Sequence, residues 1–195
     1  MKLTKDQLTF KPVTLNEWPD MQSLFGPNGA DGGCWCMWWR IKRSEFDRNH
    51  GEANRRAMEA IIRSGEVPGL LAYLQTEPIG WCSVAPREAF PVLDRSPVLK
   101  RVDDRPVWSI VCFYIAREYR QCGLTGLLIE AAVDYARSRG AKIIEAYPVD
   151  PGTDRFDPGS AFTGTIGTFR RLGFKEVARR SKRRAVLRCS ISALR

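Results

Sequence analysis

Residues 113–128 run Phe-Tyr-Ile-Ala-Arg-Glu-Tyr-Arg-Gln-Cys-Gly-Leu-Thr-Gly-Leu-Leu, an apolar stretch joined to an amphipathic one by a short polar turn with glycines. Where a strand passes through such a turn into a helix, the first backbone N–H groups of the helix lack partners and point together. A nest of this kind holds an anion, a diphosphate most naturally. Glycines ahead of a helix are also ordinary punctuation, so the surroundings must decide between the two readings.

Three other groups of residues carry chemistry. Along Lys142–Tyr147, strand alternation puts Ile143, Glu145 and Tyr147 on one face. A carboxylate between Ile144 and Ala146 asks for a partner, so Glu145 is read either as a proton acceptor or as half of an ion pair with an arginine. Tyr147 is a proton donor or ordinary packing before Pro148. The segment Cys34-Trp35-Cys36-Met37-Trp38-Trp39 is too aromatic for water; Trp35, Trp38 and Trp39 either wall an apolar or cationic acceptor pocket or pack beneath a long loop. Cys112 and Cys122 lie in or beside the turn motif, but neither has a nearby histidine in sequence to activate it. Cys34 and Cys36 have the wrong spacing for a zinc knuckle, and the only histidine, His50, is well away from them in sequence, so no metal is expected.

The elements that position these groups follow from periodicity. A first strand is expected over Leu8–Val13 and a helix over Leu15–Phe25, with Pro19 in its first turn. Residues 26–33 are loop, and a second helix is expected from Ser44, capped with Asp47, through to Arg63. Gly69–Gln75 and Pro78–Val84 read as a hairpin, residues 86–106 as an extended connection, and 107–115 as a central strand. The next helix sets Leu124, Leu127, Leu128, Ala131 and Tyr135 on one face and ends at Gly140. A strand over 142–147, a Pro/Gly/Asp loop over 150–160, a helix over 165–172 and strands over 175–180 and 185–191 complete the order.

With 195 residues, 44% of them hydrophobic, the chain suffices for one core, so a single domain over 1–195 is expected. No stretch reaches the ~18 apolar residues of a membrane span, and residues 1–6 lack the apolar region of a signal peptide. A cytoplasmic location is the expectation, with which sparse cysteines agree. The net charge of +9 is concentrated at Arg170-Arg171 and in the run Arg179-Arg180-Ser181-Lys182-Arg183-Arg184. That run is read as a solvated hairpin or as a patch attracting phosphates; it lacks the interleaved aromatics of a nucleic-acid surface, so no specific nucleic acid is expected.

The turn resembles the acyl-CoA pyrophosphate loop of the GCN5-related N-acetyltransferases (GNAT), Arg/Gln-x-x-Gly-x-Gly/Ala. Arg120, Gly123 and Thr125 hold the three motif positions, and Thr125 departs from the pattern. Phe169-Arg170-Arg171-Leu172-Gly173-Phe174 resembles the aromatic-x-x-x-Gly-Phe ending of that family's last helix, and the element order agrees across nearly the whole chain. The resemblance implies an α/β (α+β) fold with a mixed, partly parallel sheet of about seven strands, flanked by about four helices and splayed between strands 107–115 and 142–147. Acetyl-CoA would then be the co-substrate, its pantetheine arm on the main chains of Phe113, Tyr114 and Ile115. Its pyrophosphate would sit on the N–H groups of Gln121, Cys122, Gly123, Leu124, Thr125 and Gly126, screened by Arg120.

The reaction so implied is direct attack of an amine on the thioester, for which no protein nucleophile is needed. The family's usual glutamate position holds Ser109, able only to orient a water; its usual tyrosine position holds Phe169, and its frequent asparagine Phe162. Glu145 is then the expected proton acceptor and Tyr147 the expected donor. The leading reading is an N-acetyltransferase acting on a small primary amine, as a monomer or homodimer without a membrane partner. Acetylation of a protein amine is a second reading, and a non-catalytic CoA-binding or basic interaction module a third.

Overall fold

The computed structural model describes residues 2–152 and 158–191. Seven strands, β1 (Leu8–Pro12), β2 (Gly69–Leu74), β3 (Glu77–Pro86), β4 (Trp108–Ile115), β5 (Ile143–Ala146), β6 (Lys175–Ser181) and β7 (Arg184–Ser190), form one sheet in the order β1-β2-β3-β4-β5-β7-β6. All neighbours are antiparallel except β4 and β5, which run parallel. This is the mixed, partly parallel seven-stranded sheet expected from the sequence.

The helices are α1 (Trp18–Phe25), α2 (Arg43–Arg48), α3 (Glu52–Arg63), α4 (Val92–Arg95), α5 (Leu124–Ser138) and α6 (Ile166–Arg171). One face of the sheet packs Leu70, Ala72, Ile110 and Phe113 against Leu124, Leu128 and Ala132 of α5 and Ile166 and Phe169 of α6. The other packs Leu71, Tyr73 and Trp81 against Met21 and Phe25 of α1 and Met58 and Ile62 of α3. Period-2 strands and a period-3.6 helix thus bury matching stripes, as the sequence pattern requires. Gly140 has φ 81°, the left-handed geometry expected just past α5.

Two expectations need correction. The helix expected from Ser44 to Arg63 is broken between α2 and α3: Gly51 takes φ 73°, and its N–H donates to the Gly33 carbonyl at 3.0 Å. The loop over 26–42 docks at this break so closely that a Cβ on Gly33 would lie 2.4 Å from the Gly51 nitrogen. No Ser44 cap forms, because α2 already starts at Arg43. Nor is 86–106 merely extended. Arg87 is 1% exposed and its guanidinium donates to Asp94 Oδ1 at 2.7 Å and to the Leu99 carbonyl at 2.9 Å, folding the segment around itself and forming α4.

Candidate functional site

The parallel pairing of β4 with β5 covers only Trp108–Ile110 against Ile144–Ala146. β5 ends at Ala146, whereas β4 continues to Ile115, so from Val111 onward β4 has no strand on that side. A bulge helps to open it: Ser83 pairs with Cys112 and Val84 with Ile110, leaving Val111 as an extra residue. The Val111 carbonyl is taken by the indole N–H of Trp39 at 3.1 Å. An extended ligand arm adding to this edge would meet the main chain of Cys112 to Ile115.

Beyond Ile115 the chain reaches the glycine turn. Gln121 has φ 61° and Gly123 φ 84°, and Gly123 is the N-cap of α5. Such left-handed steps turn successive N–H groups the same way, toward the positive end of the helix dipole. A Cβ built on Gly123 or on Gly126 would meet nothing within 4 Å, so open space lies over the turn. The Gly126 N–H donates to the Gly123 carbonyl at 3.1 Å, which commits the last of the expected anion donors. Arg120 Nε donates to the Ile115 carbonyl at 3.1 Å and fixes the guanidinium beside the end of β4. Arg120, Gln121 and Thr125 present themselves to the cleft, while Leu124 is buried in the core and Cys122 turns its thiol to the Arg120 carbonyl.

A cleft of about 700 Å³ connects these parts. Cys112, Phe113, Tyr114 and Ile115 of β4 form one wall; Asp31, Cys34, Cys36, Trp38, Trp39, Arg43, Phe46 and His50 form the other, with Phe162 between. Trp38 and Trp39 line this cleft. Trp35 does not: its ring lies 5.7 Å from that of Trp18 and 5.5 Å from that of Phe25, in the core. Arg43 stacks 4.0 Å over the Trp38 ring.

His50 is the residue that sequence reasoning missed. In sequence it lies well away from the cysteines and within the helix expected over Ser44–Arg63, yet the break before α3 puts it on the cleft wall. Its Nδ1 lies 2.7 Å from the Gly32 carbonyl. A carbonyl only accepts, so Nδ1 carries the proton and Nε2 of the neutral ring holds the free lone pair. Asp47 Oδ1 is 4.0 Å from Nε2. The sequence signal was the glycine beside it, Gly51, which marks a helix boundary.

Glu145, Tyr147 and Ser109 are brought together, but away from the cleft lining. Glu145 is 1% exposed; its Oε1 accepts from Arg87 Nη1 at 2.7 Å and from the Tyr147 hydroxyl at 2.6 Å, and its Oε2 from Arg188 Nε at 2.6 Å. Tyr147 also accepts from Arg87 at 2.6 Å and lies 2.8 Å from Ser109 Oγ; burial first, then the Glu145 charge, pushes its hydroxyl well above the ordinary tyrosine value. Both carboxylate oxygens are thus occupied by guanidinium groups. The expectation that Glu145 takes a proton from substrate and Tyr147 gives one is corrected accordingly: of the two readings of Glu145, the ion pair is the one the geometry supports. Phe169 packs 6.2 Å from Phe113 and 5.0 Å from Phe174 and offers no donor.

The basic run forms the β6–β7 hairpin. Arg179 pairs with Glu176 at 2.7 Å and with Asp150 at 3.0 Å, and Arg180 donates to the carbonyls of Val98, Lys100 and Arg101. Arg184 donates to the Tyr147 carbonyl and to Thr163 Oγ1. Much of the run's charge therefore serves internal clamps. Among the described residues no cluster of three or more His, Cys, Asp or Glu is arranged to hold a metal, and no helix is long and apolar enough to cross a membrane.

Comparison with known proteins bears on the whole arrangement. The profile of the Acetyltransferase (GNAT) family matches residues 35–156. No curated protein matches in sequence. Solved structures that share the fold include an acetyltransferase of the GNAT family from Streptococcus agalactiae, with TM-score 0.56 at 11% identity, covering 94% of this chain and 95% of that one. The PaiA N-acetyltransferase from Thermoplasma acidophilum, in complex with coenzyme A, gives TM-score 0.53 at 11% identity, covering 94% and 98%. The ribosomal-protein-alanine N-acetyltransferase from Brucella melitensis gives TM-score 0.51 at 16% identity, covering 93% and 99%.

Proposed function

Because this chain belongs to the acetyltransferase (GNAT) family, we propose that it transfers the acetyl group of acetyl-CoA to a small primary amine held in the cleft described above. The observation that carries this reading is the open edge of β4 from Val111 to Ile115, leading straight to the turn at Gln121–Thr125. When bound, acetyl-CoA supplies an acyl thioester carbonyl open to attack. The main chain of Phe113, Tyr114 and Ile115 would hold its arm, and the N–H groups of Gln121, Cys122, Gly123, Leu124 and Thr125 its pyrophosphate, beside Arg120. The free space above Gly123 and Gly126 fits such a group.

An amine is itself the nucleophile, so holding it against the thioester supplies much of the rate. Direct attack in a ternary complex is sufficient. His50 Nε2 faces the cleft and accepts the amine's proton. Trp38, Trp39, Phe46 and Phe162 form an aromatic enclosure, and among the described residues Asp31 is the one carboxylate lining the cleft. Those features suit a small acceptor with an apolar body and a cationic amine. Glu145, with Arg87, Arg188, Tyr147 and Ser109, frames the sheet beneath the site.

The test is CoA release from acetyl-CoA over a panel of small aromatic and aliphatic amines, set beside peptides with free N-termini. Small amines with aromatic or aliphatic bodies are expected to turn over fastest. A preference for peptides would move the assignment to protein acetylation, and no release with any amine would favour a binding module.

A further inference from the structure

The last pair shared by β4 and β5 is Ile110 with Ala146, and the next residues on the two branches are Val111 and Tyr147. Trp39 belongs to the same buried cluster as both, together with Phe90 and Leu93. Its indole N–H donates to the Val111 carbonyl, so the ring stands where the two strands part. Trp39 is 8% exposed, its carbonyl accepts the Val92 N–H at 3.3 Å, and the Trp38 ring meets it edge-on at 6.4 Å. A ring held by its own hydrogen bond, by its backbone and by packing is a fixed wall. It nonetheless lines the cleft.

The free edge of β4 decides what reaches that wall. The Ala116 N–H donates to the Ile79 carbonyl at 3.0 Å, so by alternation Tyr114 and Cys112 also turn their main-chain groups toward β3. Val111, Phe113 and Ile115 turn theirs toward the cleft. There the Ile115 carbonyl is taken by Arg120 and the Val111 carbonyl by Trp39, each at 3.1 Å. The Phe113 carbonyl between them meets the Cys112 thiol at 3.8 Å, a weak bond that a ligand amide can replace. An arm that leaves a diphosphate at the turn after Ile115 and follows β4 therefore finds an open rung at Phe113 and a closed one at Val111. Two strand steps, ~7 Å, separate those rungs. The cysteamine end of the arm and a two-carbon acyl group fill about that length.

We propose that Trp39 sets the length of the acyl group: the site takes acetyl and at most propionyl thioesters and rejects butyryl and longer chains. This rests on reading the cleft as an acyl-CoA site. Methylene groups beyond the slot press on the indole, and one extra methylene against a closed apolar pocket is typically worth ~10–200-fold. A tail bent aside toward Trp38, Phe46 and Phe162 takes the place of the amine, so it blocks transfer even where it binds.

The experiment measures the affinity of CoA and of acetyl-, propionyl-, butyryl- and hexanoyl-CoA by calorimetry, and transfer from each thioester to one amine. In the wild type, affinity and kcat/KM should each fall at least tenfold between propionyl and butyryl. Trp39→Ala should raise the affinity for hexanoyl-CoA relative to acetyl-CoA at least tenfold. Trp39→Phe keeps an aromatic ring in the core and should move the step toward longer chains. The wild-type series needs no variant to fold. If CoA binds but affinity stays level along the wild-type series, or if the ratio of hexanoyl- to acetyl-CoA affinity is unchanged in a folded variant, the inference is overturned alone. If CoA and its thioesters do not bind, the reading of the cleft falls and this inference with it.

Discussion

Replacing Glu145 by glutamine keeps the shape of the side chain and removes its charge from between Arg87 and Arg188. The carboxylate is 1% exposed and receives three short hydrogen bonds, two of them from guanidinium groups. Breaking a buried ion pair by removing one partner typically costs ~3–5 kcal/mol. Here each arginine keeps a second acid, Arg87 with Asp94 at 2.7 Å and Arg188 with Asp103 at 2.7 Å, and glutamine retains one acceptor oxygen. The loss should therefore be smaller, ~2–4 kcal/mol. For a chain of this length ~1 kcal/mol moves the melting temperature by about 2–4 °C, so a drop of roughly 4–16 °C is expected. Urea unfolding with an unchanged slope gives the free energy independently. CoA affinity and turnover at a temperature where the variant is folded should stay within a few-fold of wild type. A Glu145→Gln protein that melts with wild type yet loses turnover would place the carboxylate in the chemistry and refute the frame assigned to it.

His50→Gln should lower turnover by about 10²-fold while keeping CoA binding, with the loss shrinking at high pH where the amine is already deprotonated; an unchanged rate at neutral pH would mean that positioning alone suffices. CoA at 100 times its dissociation constant should stabilise the wild type by ~2.7 kcal/mol, and Gly123→Val, forced into φ 84°, should lose that gain while still folding. On acidification the carboxyls matter: Glu52 is held down to about 2, by Arg55 first, and Asp103 far below its usual range, by Arg188 first. A carboxyl depressed in the folded state stabilises above its unfolded pKa and loses that effect as pH falls through the folded value. The melting temperature should then hold from pH 7 to ~5 and fall below ~4; a collapse already complete at pH 5 would contradict this. The hairpin arginines should give no sequence-selective binding of DNA or RNA at physiological salt, and micromolar selective binding in a titration would overturn that reading.

Strand and helix periods, together with the glycine turn, made the sheet, α5 and the β4-to-α5 junction legible in the sequence. Those elements are governed by local pattern: alternating burial, an apolar stripe, and a left-handed glycine at each end of α5. Glu145 was legible as unusual but not as paired, because Arg87 lies 58 residues away in sequence and Arg188 43. Nothing local announces a partner brought in by the fold. The same limit hid His50, whose place depends on Gly33 pressing against Gly51 across a loop. Trp35, Trp38 and Trp39 look alike in sequence; left-handed backbone at Trp35 and Cys36 is what sends the first ring into the core and leaves the other two in the cleft.

The central claim is that the open edge of β4 and the turn after it hold acyl-CoA opposite the aromatic loop. Hydrogen exchange with and without CoA tests this most directly, because it reads backbone N–H groups themselves. Exchange should slow in peptides covering 111–115 and 121–126, with a smaller effect over 34–50. Slowing confined to other regions, such as the hairpin over 179–184, would contradict the account.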